Sequence, residues 1–154
     1  MRLVVQRVRR ATVRAGDQPL GSIEGGAVVL VGVAATDSAA LVDRMAHKLV
    51  GLRYFADPAG RTNLSMAEAG GSFLVISQFT LLAEMRRGRR PSFTAAAAPE
   101  LAEPLVERLV ARLRDAGSVV ETGRFGAEMD VELVNDGPFT LVIDSDRDLG
   151  PGRG

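Results

Sequence analysis

Hydrophobic and polar positions fall into three kinds of run along the chain. Two stretches, "AVVLVGVA" at 27–34 and "SFLVISQFTLL" at 72–82, are almost continuously apolar and rich in β-branched residues. Runs of that length without alternation predict strands buried on both faces. Residues 2–9 and 11–15 predict two strands joined by a kink, followed by a turn through "GDQPLG" at 16–21. Leu41, Met45, Leu49 and Leu52 recur at helical spacing, so 38–51 is expected to be an amphipathic helix, with Thr36 or Asp37 offering its N-cap. A second helix is expected over 98–116, with a seam of Leu101, Leu105, Leu109 and Leu113. Pro99 stands near its start and Gly117 past its end, while Pro104 is expected to delay the start or kink it.

Between and after the helices, "LRYF" at 52–55 suggests a short strand and 56–71 a loop. Short strands are expected at 119–122, 129–134 and 139–144, and a disordered tail at 146–154. No repeat or linker divides the chain. The expectation is one α+β domain over 1–145, a curved or barrel-like sheet packed by two helices.

Composition removes several kinds of chemistry. The chain has no Cys, so disulfides, thiolate nucleophiles and sulfur-ligated metals are excluded together. Its 19 basic and 19 acidic residues balance, so a polyanion must be met by a local patch. Aromatic residues are only 5% and Trp is absent, which argues against a platform for stacking several bases. The start of the chain lacks an apolar signal core and no run is long enough to span a bilayer, so a cytoplasmic protein is expected.

Familiar catalytic constellations are also missing. His47, the only histidine, lies two positions from Met45, roughly 200° around the helix and facing solvent. A Ser-His-Asp triad would need it. No motif for a metal or a nucleotide phosphate is present, and no cofactor is expected. Polar residues do interrupt the second apolar run. Ser77, Gln78 and Thr80 fall where strand alternation predicts burial, so they either bond to neighbouring backbone or open onto a pocket. Arg86, Arg87, Arg89 and Arg90 crowd around Gly88, as a solvated loop or a patch that contacts phosphate. Near the end of the chain, "NDGP" at 135–138 interrupts a strand pattern, which on its own terms is a hairpin turn.

Three stretches, "SQFTL" at 77–81, "RRGRRPSF" at 86–93 and "NDGPFT" at 135–140, together resemble the D-aminoacyl-tRNA deacylases. The opening "MRLVVQRV" and "ETGRFGAEM" at 121–129 extend the resemblance over about residues 1–145. It implies a homodimer that hydrolyses D-aminoacyl-tRNA, with glycyl-tRNA as a secondary substrate. Gly137 and Pro138 would form a cis peptide inserted into the neighbour's pocket, where their carbonyl oxygens receive the substrate's α-amino group and the backbone rejects an L side chain. Ser77, Gln78, Phe79 and Thr80 would line the pocket around the ester. Backbone N–H groups near Phe79 and Thr80 would form an oxyanion hole. Phe125 and Met129 would flank the terminal adenosine, Arg7 would brace the Gly-Pro loop with Asn135 and Thr140 in support, and Arg86, Arg87, Arg89 and Arg90 would contact tRNA.

The resemblance implies neither DNA nor a membrane as partner. Phe139 departs from the Val that many relatives carry after Gly-Pro, which bears on how the loop seats. A related branch edits L-alanyl-tRNA with a trans Gly-Pro and carries His after the Thr of the motif. Leu141 here favours the D-specific branch. The rival reading is a tRNA-binding module without catalysis, which uses the arginine loop alone.

Overall fold

The computed structural model describes residues 1–86 and 88–150; Arg87 and residues 151–154, part of the expected tail, lie outside the described residues. Eight strands can be followed: β1 (Arg2–Ala15), β2 (Gln18–Ile23), β3 (Gly26–Gly32), β4 (Arg53–Ala56), β5 (Thr62–Ser65), β6 (Ser72–Ser77), β7 (Val119–Thr122) and β8 (Asp130–Asp144). Four helices accompany them: α1 (Ala39–Gly51), α2 (Met66–Ala69), α3 (Pro99–Asp115) and α4 (Ser145–Asp148). The main sheet runs β2-β1-β3-β6-β7, with β8 on the other edge of β1, and β4-β5 form a separate ribbon. β6 pairs parallel with both β3 and β7, whereas β1 is antiparallel to β2, β3 and β8.

The sheet curls until β2 meets β7. A Cβ added at Gly21 would lie 2.9 Å from the Thr122 carbonyl oxygen, so only glycine permits the approach that nearly closes the barrel. This curl creates two apolar compartments. Val8, Ala11, Val13, Ile23, Val28, Leu74 and Ile76 fill the barrel interior. Outside, Leu3, Val5, Val29, Val31, Phe73 and Val75 meet Val42, Met45 and Leu49 of α1 and Leu105, Leu109 and Leu113 of α3. Val28, Leu74 and Ile76 therefore point in while Val29, Phe73 and Val75 point out, which is why both central strands read as unbroken apolar runs.

The kink expected near Arg10 is a register shift in the β1–β8 ladder between Val8 and Arg10. The extra residue exchanges the faces of β1, so Leu3 and Val5 face the helices while Ala11 and Val13 face the barrel interior. The two long helices fall where their periodicity places them, and His47 is exposed. Several details differ. The N-cap of α1 is Ser38, whose side chain accepts from Leu41 N, because Asp37 is engaged elsewhere. Leu101 is 40% exposed and Ala102 takes its place in the seam of α3. Pro104 lies inside α3 without delaying its start at Pro99. Within the expected 56–71 loop, β5 leads into α2, which Ser65 and Glu68 close with a reciprocal capping box.

The tail expected from 146 onward is corrected as far as it is described. Residues 145–148 form a helical turn whose first residue, Ser145, is buried. The Met1 ammonium donates to Ser145 Oγ at 2.8 Å and to Asp37 Oδ1 at 2.6 Å, and the Ser145 N–H donates to the Met1 carbonyl at 2.9 Å. Asp37 Oδ2 also accepts from the Ala34 N–H at 2.7 Å. A buried main-chain ammonium thus anchors a polar segment whose composition alone suggests disorder. Replacing Asp37 by Ala strands that ammonium, at a cost of about 3–5 kcal/mol. The expected outcome is a fall in Tm of roughly 10 °C by differential scanning calorimetry, and an unchanged Tm would contradict the ion pair's structural role.

Candidate active site

The parallel strands β3, β6 and β7 end together. Val31 is in register with Ser77, and Val75 with Thr122. Above these carboxyl ends lies a cleft of about 650 Å³, in the position where parallel sheets commonly bind ligands. Ser77, Gln78 and Phe79 form part of one wall and Phe125 and Met129 part of another, while Ala97, Ala102 and Val106 close the apolar end.

The strand expected to run through Leu82 stops at Ser77. Gln78 has φ −148° and ψ 82°, and Phe79–Leu82 turn into a short 3-10 helix. This corrects the expectation that Ser77, Gln78 and Thr80 sit buried along a strand. Ser77 and Gln78 are half-buried and Thr80 is exposed, and the Gln78 side-chain amide donates to Thr80 Oγ1. Apolar residues continue through "FTLL", so periodicity could not mark the change. The turn is held from beneath: Gln78 N donates to the Val31 carbonyl at 2.7 Å, and the Arg2 guanidinium caps the Leu81 carbonyl at 2.7 Å. A helix leaves its first N–H groups without intrahelical acceptors, which orients the amides of Phe79 and Thr80 out of the turn.

Sequence reasoning missed the residues that let this turn approach the sheet. A Cβ at Gly32 would lie 2.4 Å from Leu82 Cδ2, 2.9 Å from Leu81 Cβ and 3.2 Å from the Gln78 carbonyl oxygen. At Gly123 a Cβ would lie 2.6 Å from Met129 Sδ. A lone glycine inside a β-branched run was the available signal for Gly32. Phe93 was missed too; its ring packs edge-on against Phe79 with centroids 5.1 Å apart, although Phe79 stays 58% exposed.

A second group gathers at an excursion of β8. The ladder passes from Gln6 opposite Thr140 to Val8 opposite Asn135, so residues 136–139 bulge out facing Arg7. The Asn135 amide spans the gap, donating to the Arg7 carbonyl at 2.8 Å and the Phe139 carbonyl at 3.1 Å. Arg7 Nε donates to the Asp136 carbonyl at 3.1 Å and Nη1 to the Tyr54 carbonyl at 2.6 Å, while the guanidinium lies 4.6 Å over the Phe139 ring. Thr140 accepts a 3.4 Å bond from the Gln6 side chain. The Gly137–Pro138 peptide at the tip is cis, and both residues are exposed. Neither lines the cleft of its own chain.

The arginine loop leaves the 3-10 turn as a hairpin pinned by two backbone bonds between Glu84 and Ser92. Arg86 is exposed and paired with Glu84, whose carboxyl its guanidinium holds down at about 2. Arg89 and Arg90 are exposed, and Arg87 lies outside the described residues. Among the described residues no cluster of three or more His, Asp or Glu is placed to hold a metal, and no helix is long and apolar enough to cross a membrane.

This cleft combines a mostly apolar recess with a polar rim at Ser77 and Gln78. Residues 4–144 match the family model described as D-Tyr-tRNA(Tyr) deacylase, and the chain belongs to that family. It is 55% identical to a D-aminoacyl-tRNA deacylase of Symbiobacterium thermophilum, covering 96% of this chain and 97% of the relative. With the D-aminoacyl-tRNA deacylase of Chloroflexus aurantiacus it shares 54% identity, over 94% of this chain and 91% of the relative. Among solved structures, a "c-Myc DNA Unwinding Element Binding Protein" superposes with a TM-score of 0.88 at 34% identity, over 94% of this chain and 98% of that one. A probable eukaryotic D-amino acid tRNA deacylase does so at 0.80 and 17% identity, over 92% and 97%, a likeness of fold.

Gly32→Ala tests the close approach beneath the turn. Relieving the 2.4 Å and 2.9 Å approaches to Leu82 and Leu81 needs a shift of about 1 Å, which should lower kcat/KM on the ester substrate by about 10- to 100-fold. Far-UV circular dichroism should be unchanged. Full activity would show that the turn need not sit where it does.

Proposed function

We propose that this chain hydrolyses the ester of D-aminoacyl-tRNA as a homodimer, using backbone rather than side chains as its main catalytic surface. The observation that carries the reading is the pairing of the Ser77–Thr80 turn, set at the rim of an apolar cleft, with an exposed Gly137–Pro138 corner that does not serve its own cleft. Phe125 and Met129 would hold the terminal adenosine against the apolar wall. Water would attack the ester carbonyl, with the Phe79 and Thr80 amides stabilising the tetrahedral oxyanion, and the ribose oxygen would leave with a proton. An aminoacyl ester is already activated, so orientation and oxyanion stabilisation can supply most of the acceleration.

Chiral rejection would come from the second subunit. Its Gly137 and Pro138 carbonyls would receive the substrate's α-ammonium and leave room for a D side chain alone. Exposed Val131 and Val142 on β8, whose outer edge has no strand partner among the described residues, support a second copy there. Glycine has no side chain to reject, so glycyl-tRNA would also be cleaved. Arg86, Arg87, Arg89 and Arg90 would meet tRNA phosphates.

Side-by-side deacylation of D-tyrosyl-tRNA and L-tyrosyl-tRNA, with a chelator present, is the direct test. The expected result is rapid loss of the D-ester alone; loss of neither would favour the tRNA-binding module, and loss of both would remove the chiral gate. Glu84→Gln tests the arginine loop independently. Releasing Arg86 from its carboxylate should tighten tRNA binding and steepen log K against log salt by about 0.7–0.9, measured by filter binding across a salt series.

A further inference from the structure

Around the Gly137–Pro138 corner, three groups close on one another. The Arg7 guanidinium stacks on the Phe139 ring at 4.6 Å, and the Phe139 ring stacks on Tyr54 with centroids 6.3 Å apart and planes 20° apart. The Tyr54 carbonyl completes the circuit by accepting from Arg7 Nη1 at 2.6 Å. Arg7 Nε meanwhile holds the Asp136 carbonyl at 3.1 Å and lies 3.3 Å from the Asp136 carboxylate. A planar guanidinium with one face on a ring and its edge bonded to two backbone carbonyls cannot roll or slide without breaking one of these contacts.

This assembly presses directly on the corner. A Cβ added at Gly137 would lie 3.1 Å from Arg7 Nη2 and 3.3 Å from Phe139 Cβ, so Arg7 and Phe139 bracket the Gly137 backbone within van der Waals reach. Tyr54 lies at the base, almost fully buried, and its hydroxyl has no hydrogen-bond partner among the described residues. The ring and the main-chain carbonyl of Tyr54 are the parts that meet Phe139 and Arg7. Phe139 is half-buried against the same apolar core that holds Tyr54, which couples the corner to the rigid interior.

We infer that Phe139 and Tyr54 are positioning residues that set the place of the Gly137–Pro138 corner through Arg7, and thereby the D/L discrimination of the enzyme. The inference rests on the reading of that corner as the chiral gate. Phe139 contributes the face of its ring. Leucine of similar bulk fills the space but offers the guanidinium no quadrupole.

The test compares kcat and KM on D-tyrosyl-tRNA and L-tyrosyl-tRNA, with Tm recorded for each variant. Phe139→Leu should lower the D/L ratio of kcat/KM about tenfold, with the KM for the D-substrate nearly unchanged. Phe139→Tyr, which keeps the ring face, should restore the ratio, and Tyr54→Phe should leave it intact while Tyr54→Leu lowers it. Gly137→Ala is the reference, since it strains the corner itself at φ 133°. A ratio that survives Phe139→Leu and Tyr54→Leu but falls in Gly137→Ala overturns the inference and leaves the gate standing. A ratio unchanged in Gly137→Ala overturns the gate and the inference with it. If the leucine variant does not fold, Phe139→Met is read in the same way.

Discussion

Strands β3 and β6 are buried on both faces, with the helices on one side and the barrel interior on the other, and this double burial governs where chemistry can occur. No side chain in mid-strand can carry a charge or an unpartnered polar group at acceptable cost. Polar function is displaced to the carboxyl ends of the strands, where Ser77 and Gln78 first escape full burial. At that rim the chain must turn tightly against neighbouring backbone, and glycine at 32 and 123 supplies the space. The cleft, its amides and its apolar floor all follow from that displacement.

A second consequence is the separation of the two motifs. The turn after β6 is held by β3 and Arg2, within the body of the sheet. Gly137–Pro138 instead stands on a four-residue excursion from β8, held by Arg7 and Asn135 and exposed at its tip. A corner that must project cannot be fixed by burial, so it is fixed by hydrogen bonds and an aromatic stack reaching back to Tyr54.

Much of the architecture was legible because its signals are local. The apolar runs, both long helices, the kink in β1 and the exposed His47 follow from period and composition. Where the sequence misled, the cause was a contact or a change of backbone shape that hydrophobicity does not encode. "FTLL" reads as strand, yet bends into a 3-10 turn with the same residues. Ser65-Met66-Ala67-Glu68 carried a capping-box pattern in an otherwise weak stretch, and β5 and α2 went unread there. Arg7 and Asp136 stand 129 residues apart, so only the resemblance, and not spacing, could bring them together.

The β1–β8 ladder is the longest element of the fold, and its two ends are secured unequally. At the Arg2–Asp144 end, the Met1 ammonium, Asp37 and Ser145 form a buried knot beneath an Arg2–Asp144 ion pair of 2.8 Å. At the other end Arg14 and Asp130 face each other across 3.7 Å, both largely exposed. Exposed pairs of that kind add little. Local opening therefore has a direction: the ladder unzips from Arg14 and Asp130, and amide protons near Val131 exchange with solvent long before those near Ile143. The excursion that carries Gly137 and Pro138 lies between these ends, beyond the bulge at Arg9 and Arg10, so fraying from the open end meets a break in register before it reaches the corner.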